Sequence, residues 1–155
     1  MAADIQIVPA RAAHLRSIAR RMRQADREEV SAASGRSPAG ALVYSLRKSA
    51  VAWTVLIDGR PECLFGVGDV NILAGVGCPW LLGTDAVEKN YRAFLRGSVD
   101  CRDQLLSMYP TLRNFVDARN VVSIRWLRWL GFRLLDPVEI KGHEFRLFEL
   151  RSGDV

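Results

Sequence analysis

One stretch limits what this chain can fold into more than any other: Asn114 to Phe132, NFVDARNVVSIRWLRWLGF. Asn114-Phe115-Val116 reads as the end of an apolar strand, Asp117 to Asn120 as a polar turn, and Val121 to Leu130 as about three turns of helix. Gly131 closes that helix. With no Cβ it can take the left-handed conformation after the C-cap, and Phe132 behind it can make the hydrophobic contact that accompanies such a cap. Val121, Val122, Ile124, Trp126, Leu127, Trp129 and Leu130 surround nearly the whole circumference and leave Arg125 and Arg128, three apart, as a thin polar stripe. The helix is therefore expected to pack on two sides. Trp126 and Trp129 are expected in the core rather than stacked on nucleic-acid bases.

A chain of 155 residues suffices for one domain spanning 1–155, burying roughly two-thirds of its unfolded surface. Hydrophobic residues at 49%, charged at 25% and a mean hydropathy of +0.03 exclude a disordered or membrane-embedded class. No apolar run approaches the roughly 20 residues that span a bilayer, and no basic-then-apolar segment opens the chain, so a cytoplasmic location is expected. Cys63, Cys78 and Cys101 are odd in number and widely spaced, which argues for free thiols over a disulfide framework or zinc site. The net charge of +5 fits an anionic partner. Composition does not by itself choose the partner, since a phosphate-bearing cofactor would be served equally; the spread of the basic residues over the whole chain, with no clustered run, argues against a nucleic-acid track.

Along the chain, Ile5 to Val8 alternates briefly and stops at Pro9 as a first strand. A long helix is expected from about Ala10 to Ala32, with Leu15, Ile18, Met22 and Ala25 on its buried face. Arg16, Arg20, Arg23 and Arg27 lie opposite, either as a solvated face or as a surface for an anionic partner. Ser37 is a plausible N-cap for a helix from Pro38 to about Lys48. From Ala50 the period becomes two: Val51, Trp53, Val55 and Ile57 share a face, Asp58-Gly59 makes a hairpin turn, and Glu62 to Asp69 returns. Gly66 and Gly68 are expected to relieve crowding against a neighbouring segment. Gly75 to Leu82 is the next strand, and Pro79 marks a bulge or an unpaired position in it. Helical pieces follow over Asp85 to about Leu95, capped by Thr84, and over Val99 to Met108. Leu112 to Val116 is the fifth strand, and Phe132–Ile140 with Glu144–Leu150 closes the chain as a hairpin around Lys141-Gly142-His143.

Asn120, Ser123 three later, Trp126 six later and Gly131-Phe132 at plus eleven and twelve resemble the Asn-x-x-Ala-x-x-(aromatic/Leu)-Tyr-x-Lys-x-Gly-Phe signature of the GNAT acyltransferase superfamily. WLLGTD, YPTLRNFV and SIRWLRWLGF together are similar to the small GNAT-like proteins of tailed phages, including those called internal virion protein A. The resemblance implies an α/β fold with a mixed, mostly antiparallel sheet, a bulged fourth strand and helices on both faces. Pro79 stands where that fourth strand splays from the fifth. It implies an acyl-CoA cofactor, acetyl-CoA in the first instance, and an amine acceptor. The alternative it implies is a non-catalytic scaffold that contacts phage or host proteins, in the host cytoplasm or the virion.

The same resemblance picks out Leu82, Gly83, Thr84, Asn120 and Ser123 as cofactor-binding positions. In the family, a Gln/Arg-x-x-Gly-x-Gly/Ala turn after the fourth strand cradles pyrophosphate on amides and a helix N-terminus. Here the stretch is Trp80 to Ala86, with one glycine and with Asp85 where the phosphates would sit. Anion binding by Gly83 and the amides to Val87, aided by Lys89 or Arg92, competes with a purely structural turn. The family's catalytic Tyr falls at Leu127, so no catalytic residue is assigned. Ser123 and Tyr109 are candidate acids, while Glu28, Glu29 and Asp69 are candidate bases; ordinary packing or solvent exposure is the competing reading for each. His14 and His143 lack ligand partners at metal spacing, and no G-x-S-x-G elbow occurs.

Overall fold

A computed structural model describes residues 2–155. Seven strands, β1 (Ile5–Pro9), β2 (Ser49–Ile57), β3 (Arg60–Asn71), β4 (Val76–Gly83), β5 (Thr111–Asp117), β6 (Arg133–Ile140) and β7 (His143–Arg151), form one sheet in the order β1-β2-β3-β4-β5-β7-β6. Every neighbouring pair is antiparallel except β4 and β5, which are parallel. Six helices flank it: α1 (Ala12–Arg20), α2 (Gln24–Ser34), α3 (Pro38–Lys48), α4 (Ala86–Lys89), α5 (Tyr91–Met108) and α6 (Val121–Trp129). The strand alternation sorts the core onto two faces. Leu64 and Leu82 pack with Ile18, Met22 and Leu42 under α1 and α3. Val67, Leu112 and Phe148 pack with Leu105 of α5, Leu127 of α6 and Leu130 at its C-cap on the other face.

Local chemistry accounts for the turns and caps. Asp58 and Gly59 both have positive φ (50° and 81°), as do Lys141 and Gly142 (49° and 81°), the requirement of a two-residue hairpin whose twist matches its strands. Ser37 Oγ accepts from Gly40 N at 3.1 Å, with Pro38 opening α3. A Cβ on Gly66 would lie 2.5 Å from Val51 O, so this glycine lets β3 approach β2. At the end of α6, Phe132 N donates to Leu127 O and Gly131 N to Arg128 O, both at 3.0 Å, with Gly131 at φ +99°. That pair of bonds is a Schellman cap. Phe132 then meets Phe148 edge-on, 5.2 Å between ring centroids.

Four expectations change. The first long helix is broken at Arg21–Arg23, because Met22 bridges to Thr84 and Arg23 N donates to Gly83 O at 2.9 Å. The helical region after β4 breaks at Asn90, and Gly97 lies inside α5. The register irregularity of the third and fourth strands falls on β3 between Asp69 and Asn71, while Pro79 stays in register with Val67 and supplies the unpaired position toward β5. Finally, α6 does not pack on two sides: Val121, Val122 and Trp129 are exposed, Trp129 by 54%.

Candidate functional site

The site begins where β4 and β5 part. They pair only at Val76–Thr111 and Gly77–Leu112. Two residues on, Pro79 has no N–H to give, and its carbonyl accepts from Asn114 Nδ2 at 2.7 Å instead. By strand alternation Pro79, Leu81 and Gly83 turn their backbone groups toward β5. Those of Gly83 are occupied, its N–H by Asp26 Oδ2 at 2.9 Å and its carbonyl by Arg23 N. Leu81 is left facing the slot.

A polar network centred on the buried Arg23 and Asp26 spans that slot. Arg23 donates from Nη2 to Asp26 Oδ1 (2.7 Å) and Ser123 Oγ (3.0 Å), and from Nη1 to Glu88 Oε1 (2.8 Å). Burial works against its charge, but the hydrogen bonds and charges of Asp26 and Glu88 outweigh it and raise its pKa further. Asp26 is 1% exposed, and its ion pair with Arg23 offsets that burial. One turn along α2, Glu29 Oε1 accepts from Asp117 N at 2.6 Å. Burial, with the nearby charges of Asp26 and Asp117, pushes the Glu29 carboxyl up to about 7, against the hydrogen bond from the Asp117 amide. Asp117 is itself buried, yet Arg119 grips it at 2.8 and 3.1 Å and holds its carboxyl below the ordinary range. Asn120 caps α6 through Oδ1, which accepts from Ser123 N at 3.3 Å. Its Nδ2 is buried without a full hydrogen bond among the described residues.

In the turn after β4, four of the five amides from Gly83 to Val87 bond within the chain. Besides Gly83, Thr84 N donates to Glu62 O (2.9 Å), Ala86 N to Thr84 Oγ1 (3.3 Å) and Val87 N to Thr84 O (3.2 Å). Thr84 Oγ1 is hydrogen-bonded to the Glu62 carboxylate, which also pairs with Arg21 at 2.7 Å. Leu82 points into the α1/α3 core. The open amide cradle considered for Gly83 to Val87 is therefore replaced by the structural turn, because carboxylate, carbonyl and hydroxyl oxygens of the same chain occupy the Gly83, Thr84, Ala86 and Val87 donors. Of the sequence candidates, Glu28 is exposed and bonded to Gln24, and Asp69 accepts from the Tyr109 hydroxyl. That bond, with burial, pushes Tyr109 up to about 12. Asn120, Ser123 and Glu29 come together at the slot; Leu82 and Thr84 do not join them.

Open space lies on both faces of the sheet here. A cleft of about 400 Å³ runs between α5 and α6, walled by Arg23, Glu88, Tyr91, Trp126 and Trp129. On the opposite face a groove of about 620 Å³ is lined by Glu29, Tyr44, Lys48, Asp69 and Asn114. The two share Leu81, Ser123 and Trp126 as walls. Trp126, expected in the core, is a half-buried junction residue whose ring packs on Phe94 at 5.3 Å. Arg23, expected on a stripe that was either a solvated face or a surface for an anionic partner, is buried in the slot, and Asp26 beside it was not among the expected site residues. The signal available was the spacing Arg23-x-x-Asp26-x-x-Glu29, which lines three ionisable residues along one helical face. Among the described residues, no group of three or more His, Cys, Asp or Glu side chains is placed to hold a metal, and no helix is long and apolar enough to cross a membrane.

No family model matches the sequence, and no curated protein sequence matches it. Solved structures do. A GCN5-related N-acetyltransferase from Kribbella flavida superposes with a TM-score of 0.66 at 16% identity, covering 95% of this chain and 97% of the other. The spermidine N-acetyltransferase from Vibrio cholerae, in complex with CoA and spermine, gives 0.69 at 9% identity, over 97% and 96% of the two chains. An acetyltransferase of the GNAT family from Streptococcus pneumoniae gives 0.61 at 11%, over 96% and 99%. At such identities the likeness is one of architecture, and the splayed β4–β5 pair within a seven-stranded, mostly antiparallel sheet gives this chain the GNAT fold.

Proposed function

We propose that this protein is an acyl-CoA-dependent N-acyltransferase. The pantetheine arm lies in the α5–α6 cleft beside the backbone groups of Leu81, and the amine acceptor enters the groove on the opposite face. The observation that carries the reading is the meeting of two clefts at Leu81, Ser123 and Trp126, with a carboxyl poised near neutrality on the acceptor side. The Vibrio cholerae neighbour, solved with CoA and spermine, holds the two ligand classes that this reading calls for.

In this scheme ionised Glu29 takes a proton from the acceptor ammonium, directly or through one water. The freed amine attacks the thioester carbon; the C–N bond forms, the C–S bond breaks, and the second proton that the nitrogen sheds on becoming the amide passes through the Ser123 hydroxyl to the departing thiolate, leaving CoA–SH. Ser123 Oγ accepts from Arg23 and so keeps its own hydroxyl hydrogen to donate toward that thiolate. Arg125 at the cleft wall, with Lys89 and Arg92 on the exposed surface nearby, replaces the missing amide cradle as a source of positive charge for the phosphates. Acetyl-CoA is the first donor to test. A ligand that binds only the folded state raises the melting temperature, by an amount set by roughly RT ln(1 + [L]/Kd). Millimolar acetyl-CoA, hexanoyl-CoA and free CoA are each expected to do so.

A second reading is favoured by the satisfied amides of Gly83, Thr84, Ala86 and Val87: a scaffold that no longer binds cofactor and works through protein contacts, as the likeness to phage virion proteins suggests. Absence of any thermal shift with all three CoA species would support it and remove the enzyme reading.

A further inference from the structure

Helix α5 does not rest on the sheet along its whole length. Beneath it lies a cavity of about 130 Å³ whose walls include Val55, Phe65, Leu81, Phe94, Cys101 and Leu105. The polar side chains at its edge are already engaged. Ser98 Oγ donates to Leu95 O at 2.8 Å and accepts from Trp126 Nε1 at 3.3 Å, while Arg102 donates to Leu130 O at 2.8 Å and pairs with Asp103. Water needs two to four polar partners to occupy such a space, so these walls select an apolar guest. A dry engineered cavity of about 150 Å³ with Leu, Ile and Phe walls holds benzene. By that standard this one takes a hydrocarbon group of about six carbons.

Its position adds a second constraint. Leu81, Phe94 and Trp126 wall both this cavity and the α5–α6 cleft, so a chain entering along the cleft can turn beneath α5 at the tilted Phe94–Trp126 pair. We infer that the cavity receives the tail of the acyl donor, and that the donor is a thioester with an acyl group of about six carbons rather than acetyl. The inference rests on the acyl-CoA reading above and names the acyl class for it. An acetyl methyl leaves nearly all of the cavity unfilled. Each further buried methylene contributes roughly a fourfold gain in affinity, so hexanoyl-CoA, with four more, is expected to bind on the order of 100-fold more tightly than acetyl-CoA.

Gly97 supplies the control. It lies on the cavity wall within α5, and a Cβ built there meets no atom within 4 Å. Gly97→Leu replaces a poor helix former with a good one and directs its side chain into open space, so it should fold; Ala93→Leu, at another wall position, is the second filling variant. Calorimetric titration of the full chain with CoA, acetyl-CoA and hexanoyl-CoA is expected to show the hexanoyl preference in the unaltered protein and its loss in either filled variant. Equal affinity for acetyl-CoA and hexanoyl-CoA would overturn this inference and leave the cofactor reading standing. A preference that survives both substitutions would likewise overturn the assignment to this cavity. If no CoA species binds, the cofactor reading falls and this inference with it.

Discussion

At the scale of single residues, Glu29 ties stability to the proposed chemistry. Its carboxyl titrates near 7 in the folded protein against 4.5 ordinarily, because burial and the Asp26 and Asp117 charges disfavour the ionised form. The folded state therefore binds this proton more tightly than the unfolded chain does. The stability it contributes is complete below about pH 4.5 and is lost as the pH rises through about 7. Glu29→Gln removes that loss, so the variant should match the parent at pH 4 and exceed it by roughly 1–3 kcal/mol at pH 8 in urea denaturation. Activity should move oppositely. The parent's kcat/KM is expected to climb with pH through about 7, whereas the variant should be flat and lower by roughly 10²–10⁴. A parent profile without that inflection would take the base role from Glu29. Little of this was legible beforehand: Glu29 was only one of three candidate carboxylates, and its burial comes from β5 and α6, far away in sequence.

At the scale of elements, the chain's local signals and its tertiary ones part company. Turns and caps were legible because their chemistry is local: Asp58-Gly59, Ser37-Pro38 and Gly131-Phe132 each fix a backbone conformation within a few residues. Gly131→Ala meets no obstacle nearer than Leu150 Cδ1 at 3.8 Å, so its cost is conformational. At φ +99° a Cβ should destabilise the protein by roughly 1–2 kcal/mol, seen as a lower urea midpoint at constant m. An unchanged midpoint would mean that the cap is dispensable. The break between α1 and α2 was not legible, because its cause is the Gly83 carbonyl, far downstream in the sequence, accepting from Arg23 N. Periodicity likewise identified α6 as apolar around nearly its whole circumference but not that one side borders a cleft, which is why Trp129 is exposed.

At the scale of the molecule, the sheet is two half-sheets, β1–β4 and β5–β7, joined by two backbone pairs. The polar network carries much of the remaining connection: α2 holds the end of β4 through Asp26 and Gly83, β5 through Glu29 and Asp117, and α6 through Arg23 and Ser123. It also disposes of the four-arginine track. Arg23 is buried in the slot, and Arg27 donates to the carbonyls of Ala19, Arg20 and Met22 at the end of α1, so only Arg16 and Arg20 remain exposed. If Arg23 and Asp26 act as one unit across the splay, their substitutions must be coupled. Arg23→Met leaves the Asp26 carboxylate buried without its cation and should cost roughly 3–5 kcal/mol. Asp26→Asn keeps an acceptor for Gly83 N but weakens the hold on Arg23. The double variant has neither charge, so its loss should fall short of the sum of the single losses by about 2 kcal/mol. Strict additivity in urea denaturation would show the two acting separately. Coupling should also appear at Gly83, whose amide hydrogen exchange should accelerate in Arg23→Met more than exchange in the β2–β3 hairpin, because the end of β4 is where the half-sheets come apart first.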